Sequence, residues 1–213
     1  ATIDGLTVLS SYTPCSGRNL KFMEKRGAYD AQLGGYIQRL HKENPDTVVV
    51  GDLNVGLHDH DAWDAKTNSD RHEFPGFLPE ERQQLRDILR DTGFQDSWHE
   101  IRTEAGVTRE PQEGYTWFDN DSNWAQSRGL RLDYVLTPPR MLQNTDTDSW
   151  RVLKVRTHRD QPGSDHVPLT VTLTKILTDK PTAEVARPGK PRTGTEPRPS
   201  PNADANPDTG WVR

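Results

Sequence analysis

The chain has 213 residues and a formal net charge of −5, with 28% charged and 31% hydrophobic residues. Its single cysteine, Cys15, excludes an internal disulfide, and no run reaches the roughly 18 to 20 apolar residues of a membrane span. A simple duplex-binding module is more often basic, so the acidic balance leans against one while leaving room for a carboxylate-rich site with a basic rim.

No basic start followed by a long apolar core marks Ala1 to Leu9 as a signal peptide. The chain opens without Met, directly in a strand-like pattern, as a processed product or a partial chain would. Leu6–Tyr12 (LTVLSSY) reads as a strand that Thr13-Pro14 stops. Leu20–Lys42 reads as a helix, because Phe22, Tyr29, Leu33, Ile37 and Leu40 recur at helical steps with charges between them. Thr47–Val50, with three valines in a row, reads as a strand buried on both faces. His58–Phe74 is polar and loop-like. Pro79–Thr92 reads as a helix: Pro79 suits its first turn, Glu80 and Glu81 complement its dipole, Leu85, Ile88 and Leu89 form its apolar face, and Gly93 ends it. Tyr115–Phe118, Leu130–Leu136, Trp150–Arg156 and Val167–Thr174 read as strands, the last alternating Val167, Leu169, Val171 and Leu173 with polar residues. Helices mixed with strands imply an α/β or α+β sandwich.

From Asp179 onward the chain holds seven of the 16 prolines, with six basic and five acidic residues and no hydrophobic period. Residues 1–177 are therefore expected to form one compact domain and 178–213 a disordered, proline-rich tail. Trp211, near its tip, suits either an unstructured end or a docking point.

Three polar constellations stand at strand ends. In VVVGDLN, Asp52 and Asn54 follow an apolar run at a spacing that puts alternate residues on one face. A carboxylate there can take a proton or hold a metal, and a carboxamide can both donate and accept; the same residues also suit a plain turn. In GLRLDYVL, Asp133 sits inside an apolar strand, where a carboxylate needs a partner. In GSDHVPL, Asp165 and His166 precede another strand. An imidazole there can act as an acid or stabilise developing negative charge, with Asp133 to orient it.

These stretches, in order, together with GFLPEER (Gly76–Arg82), GFQDSW (Gly93–Trp98) and YTWF (Tyr115–Phe118), closely resemble the exonuclease III type of apurinic/apyrimidinic endonuclease, within the endonuclease/exonuclease/phosphatase superfamily. The resemblance covers about Leu6 to Leu177. It implies an α/β fold, a sandwich of two packed mixed β-sheets flanked by helices, of which this chain carries roughly the second half. It implies a metal-dependent DNA repair nuclease that hydrolyses the phosphodiester 5′ to abasic sites, with 3′–5′ exonuclease or 3′-phosphodiesterase activity beside it. Asp52 matches the carboxylate that activates the attacking water, Asn54 the residue that positions water and phosphate, and His166 the imidazole that stabilises the phosphorane-like transition state, with Asp133 its partner. Tyr12 matches a tyrosine at the scissile phosphate. Asp165, with His166, Asp52 and Asn54, matches the metal-associated set, for Mg²⁺ or alternatively Mn²⁺. Arg18 and Asn68 match DNA contacts. Trp117, Phe118 and Leu132 suit either the wall around a flipped-out abasic sugar or the core.

The resemblance also has gaps. The family domain begins roughly a hundred residues earlier, and that part supplies an asparagine and the principal metal-binding glutamate. Glu24 does not match the latter. Cys15 stands where the family usually has Asn, and Leu130 where it usually has Trp. The implied partners are abasic DNA and, for this chain, the amino-terminal part of the domain, with a monomer when complete and no membrane. The implied location is the nucleus in a eukaryote or the cytoplasm in a bacterium, and not outside the cell. Two other readings stay open: a superfamily phosphodiesterase or phosphatase with another substrate, and an inactive fragment or scaffold that lacks the metal-binding glutamate.

Overall fold

The computed structural model describes residues 1–64, 74–104, 110–143 and 149–177. The tail expected from 178 onward, and Asn68, lie outside the described residues. Strands β1 (Thr2–Ile3) and β2 (Leu6–Tyr12) lead to α1 (Met23–Glu43), β3 (Thr47–Asp52), α2 (Pro79–Thr92), β4 (Gln95–Asp96), α3 (Ser97–Glu104), α4 (Asp121–Ala125), β5 (Asp133–Thr137), β6 (Ser149–Thr157) and β7 (Leu169–Ile176). The first five strands form one sheet in the order β1-β2-β3-β5-β4. It is mixed: β2 and β3 run parallel and the remaining pairs antiparallel. The second sheet, among the described residues, is the antiparallel β6–β7 ribbon and not a mixed sheet.

The valine run explains itself in this layering. Side chains alternate across a strand. Val49, with Leu53 and Leu136, meets Leu33 and Ile37 of α1 and Leu85 and Ile88 of α2 on one face. Val48, with Leu6 and Val135, meets Val152 and Val155 of β6 and Trp98 of α3 on the other. Full burial of each such aliphatic side chain contributes about 1.5–3 kcal/mol. The order is therefore helices, central sheet, ribbon, and the sheet's central strand must be apolar on both sides.

Helix α2 has the bounds and stop signals expected, with Gly93 at φ 72° closing it. Helix α1 starts three residues later than its hydrophobic period suggested. Asn19 and Leu20 take positive φ in a 3₁₀ turn (Arg18–Leu20), so the chain bends before entering the helix and Phe22 is left 45% exposed. Its buried face is Arg26, Asp30, Leu33 and Ile37. Tyr115–Phe118 is not a strand: Trp117 makes single bridges to Leu130 and His166. Leu130 likewise makes isolated bridges, and β5 begins only at Asp133. Helices α3 and α4 were not legible as periodic segments; α4 is one short turn capped by the Asn120 side chain, which accepts from the Asn123 N–H.

A buried ion network anchors the loop between β3 and α2. Arg131 is 2% exposed; its Nε donates to Asp61 at 2.7 Å and its Nη1 lies 2.6 Å from Asp96. Around it His58, His60 and His99 stack, with ring centroids 5.0 to 6.0 Å apart. Burial, then the neighbouring His60, Arg131 and His99 cations, holds His58 below its ordinary range against the pull of Asp61. A base held down in the fold binds fewer protons than in the unfolded chain. Its stability penalty is absent above the unfolded value of about 6.5 and grows as pH falls below it. Between pH 7.5 and 5.5 the parent chain should therefore lose more urea stability than His58→Asn does.

Within β3, Gly51 has φ 134°, and a Cβ there would lie 2.0 Å from the Ser11 carbonyl oxygen. Only glycine fits so close a parallel neighbour in that conformation. Gly51→Ala should destabilise the fold by about 3 kcal/mol in urea unfolding.

Candidate active site

Register assembles the site. Tyr12 pairs with Asp52 across β2–β3, and Asp52 with Asp133 across β3–β5, so three strand ends carry three candidate side chains abreast. Directly opposed residues project to the same face of a sheet. Tyr12 is 66% exposed, as a group at an open cleft should be.

Past Asp52 the chain turns sharply, with Asn54 at φ 48°. The turn is closed by its own side chains. The Asn54 N–H donates to Asp52 Oδ1 at 2.8 Å, and Asn54 Nδ2 donates to Asp52 Oδ2 and to the Thr13 carbonyl, both at 2.9 Å. Opposite, His166 Nδ1 lies 2.8 Å from Asp133 Oδ2, leaving Nε2 as the ring atom available to a ligand. Asp133 is itself set in place by Thr116, whose hydroxyl accepts from the Leu132 and Asp133 N–H groups at 3.1 Å each. The loop bearing His166 is stitched to the 116–118 segment: the Trp117 indole N–H donates to Asp165 Oδ2 at 3.0 Å, and the Phe118 N–H donates to the Asp165 carbonyl at 2.9 Å.

Electrostatics raise the proton affinity of both halves. Burial, helped by the Asp133 charge, pushes Asp52 up to about 6, against the Asn54 N–H, His166 and Arg26. The hydrogen bond that the His166 ring N–H donates to Asp133 raises His166, opposed by burial and assisted by the charges of Asp133, Asp52 and Asp165. Asp165 is held low: burial pulls it upward, but the Trp117 indole and the His166 charge outweigh that.

An adjoining cavity of about 550 Å³ ends on Asn54 and His166. Trp63, Phe74, Phe77, Trp117, Leu130 and Leu132 give it apolar walls, and Cys15, Asn123 and Arg128 also line it. Arg128 stacks over Trp63, 4.8 Å from the ring centre. The structure thus brings together Tyr12, Asp52, Asn54, Asp133, Asp165 and His166, with Trp117 and Leu132 at the cavity wall. It does not place Phe118 there. That ring is 1% exposed, packed with Tyr115, Val167 and Trp124, because Trp117 takes the outward position. Arg18 is exposed on the turn before α1. Thr116, Trp63, Asn123 and Arg128 were not legible as site residues: Thr116 stands in YTWF without a role read for it, and the other three carry no motif and meet the site only through long-range packing.

As a metal centre the site is incomplete. Among the described residues no group of three or more His, Cys, Asp or Glu side chains is arranged to hold an ion. Both Asp52 oxygens are engaged by Asn54, and the exposed Asp165 accepts from the Trp117 indole and the Ser164 hydroxyl. These residues do not by themselves fit Mg²⁺.

A mixed sheet whose strand ends converge on an Asp–Asn turn and a His–Asp pair defines a class that sequence comparison also recognises. The chain belongs to the Endonuclease/Exonuclease/phosphatase family, whose model matches residues 3–166. It is 33% identical over 140 residues to an exodeoxyribonuclease of Streptococcus pneumoniae, covering 65% of this chain and 47% of that protein. It is 30% identical over 171 residues to exodeoxyribonuclease III of Haemophilus influenzae, covering 77% and 60%. The chain therefore spans about half the length of the curated relatives it matches. In fold it is similar to the AP endonuclease LMAP from Leishmania major, with a TM-score of 0.65 and 24% identity over 79% of this chain and 50% of that one.

Asp133→Asn should remove the principal cause of the raised His166 value. In a histidine NMR titration the His166 midpoint should fall from its parent position toward the ordinary imidazole value.

Proposed function

We propose that this chain carries the hydrolytic machinery of a DNA repair nuclease that cuts the phosphodiester 5′ to an abasic site. The observation that carries this reading is the pairing of Asp52–Asn54 against Asp133–His166 across one strand pair, at the end of an apolar cavity. An abasic sugar swung out of a duplex suits such a cavity, and its 5′-phosphate would then lie against Asn54 and His166.

The chemistry follows from the charges. Asp52, with a proton affinity near neutrality, accepts a proton from a water as the water oxygen attacks phosphorus. Asn54 holds that carboxylate in one orientation. The charged ring of His166, steadied by Asp133, meets the negative charge that grows on a non-bridging oxygen. The bond from phosphorus to the 3′-oxygen breaks, and the departing oxygen takes a proton from solvent. The family relatives named as exodeoxyribonucleases support DNA as the substrate class. A divalent cation would need a further carboxylate beyond those the described residues converge.

The test is hydrolysis of a duplex with one abasic-site analogue, in residues 1–213 and in the longest reading frame that contains them, with Mg²⁺ titrated. Intact duplex and a phosphoinositide serve as the competing substrates. Incision should fall 5′ to the lesion. Asp52→Asn keeps the shape and removes the base, so kcat should fall by about 10²–10⁴ while DNA affinity changes little. A variant that kept most of its turnover, or a clear preference for the lipid, would remove this reading.

A further inference from the structure

The geometry points to Arg26 as a positioning residue that holds the Asp52–Asn54 turn in its working shape, with Glu81 and Asp30 as the anchors that aim it. Arg26 lies in α1, 1% exposed, where a solvated surface residue would be expected from its charge. Its guanidinium forks under the turn: Nη2 donates to the Leu53 carbonyl at 2.8 Å and Nη1 to the Asn54 carbonyl at 3.0 Å. Nη1 also reaches the Pro14 carbonyl at 3.5 Å. Nε donates to Asp30 at 2.8 Å, and Nη1 lies 3.5 Å from Glu81 Oε1.

Glu81 is fully buried and works in two directions. Its Oε2 accepts from the N–H groups of Gly76 at 2.6 Å and Leu78 at 3.2 Å. The Gly76 carbonyl in turn accepts from the Gly56 N–H at 2.8 Å. A Cβ on Gly76 would lie 3.2 Å from the Asn54 carbonyl oxygen, so the two backbones pass in close contact. The GFLPEER segment is thereby tied to the guanidinium and to both flanks of the turn.

The device answers a physical need. Asn54 sits at φ 48°, a region that a non-glycine residue holds only when its surroundings fix it. In that turn the Leu53 and Asn54 carbonyls face the interior, and Arg26 satisfies both at once. Only the planar fork of arginine spans two carbonyls in fixed geometry. With the backbone pinned, the Asn54 carboxamide has one place to go, onto Asp52 and the Thr13 carbonyl. Arg26 touches no reacting atom; it acts through Asn54.

For its kinetic arm this inference rests on the hydrolytic reading above, so a readout that needs no activity is measured beside it. Arg26→Lys keeps the charge, and with it Asp30 and Glu81 paired, but cannot fork. The double variant Arg26→Gln/Glu81→Gln removes the charge pair together and covers the case in which the lysine variant fails to fold. Backbone amide spectra verify the fold in each. In the folded parent the Asn54 side-chain NH₂ should give two separate, solvent-protected signals, because both protons are engaged. In the variants both signals should move to free-amide positions and exchange faster with solvent, while the rest of the spectrum is retained. On an abasic-site duplex kcat should fall about a hundredfold with KM within threefold, as a small misplacement of a reacting group does. A folded Arg26→Lys chain with unchanged Asn54 amide signals would overturn the inference. If neither residues 1–213 nor the longer reading frame cuts DNA, the hydrolytic reading fails and the amide signals still decide the role of Arg26.

Discussion

The position of β3 between β2 and β5 governs everything that happens at the cleft. Side chains in a strand alternate, so a slip of one residue would send Asp52 to the opposite face from Asp133 and Tyr12. What prevents the slip is burial on both faces: Val48 belongs to the core beneath the ribbon and Val49 to the core beneath the helices. Either valine would keep some burial after a slip, but each would meet a surface shaped for the other. The close approach of Gly51 to the Ser11 carbonyl adds a second lock. Packing and register together thus deliver three polar groups to one edge, although none of the three contributes to the packing.

Below that edge the protein is held by buried charge. Arg131 lies between Asp61 and Asp96 and beneath the rings of Tyr134 and Trp98; Arg26 lies between Asp30 and Glu81. Taking such ions out of water is costly, and removing one partner of a buried pair typically costs about 3–5 kcal/mol. Their use here is geometric. Each guanidinium joins elements far apart in sequence, Arg131 across the 59–61 turn and β4, Arg26 across α1 and the turn after β3. Tyr134 continues the pattern, its hydroxyl donating to the Val55 carbonyl and accepting from the Leu57 N–H. Much of the RLDY and PEER motif chemistry is therefore support for the loop that follows Asp52.

The two halves of the site are tuned in the same movement. Burial raises Asp52, while the ion pair with Asp133 raises His166. One group gains affinity for a proton because water is excluded, the other because a carboxylate is supplied. The consequence is a carboxylate with raised proton affinity and an imidazole that holds its proton more firmly, on either side of one cleft.

Periodicity was enough to place α1, α2, β2, β3, β6 and the outer part of β7, because each has a continuous apolar face that local steps reveal. Dense motifs likewise exposed Asp52, Asn54, Asp133 and His166 as polar residues at strand ends, and the family that they resemble. Other features depended on contacts between distant segments. Arg26 and Asp30 share the inward face of α1 with Leu33 and Ile37, but a search for apolar spacing passes over a buried ion pair. Phe118 and Trp117 are neighbours with equal claims to a pocket, and only the bridges of Trp117 to Leu130 and His166 turn one outward and the other into the core. Sequence alone determined which side chains had the chemistry. The tertiary structure decided which of them meet, because a carboxylate's partner, a turn's backbone conformation and a cavity's wall are set by residues brought together across the whole sheet.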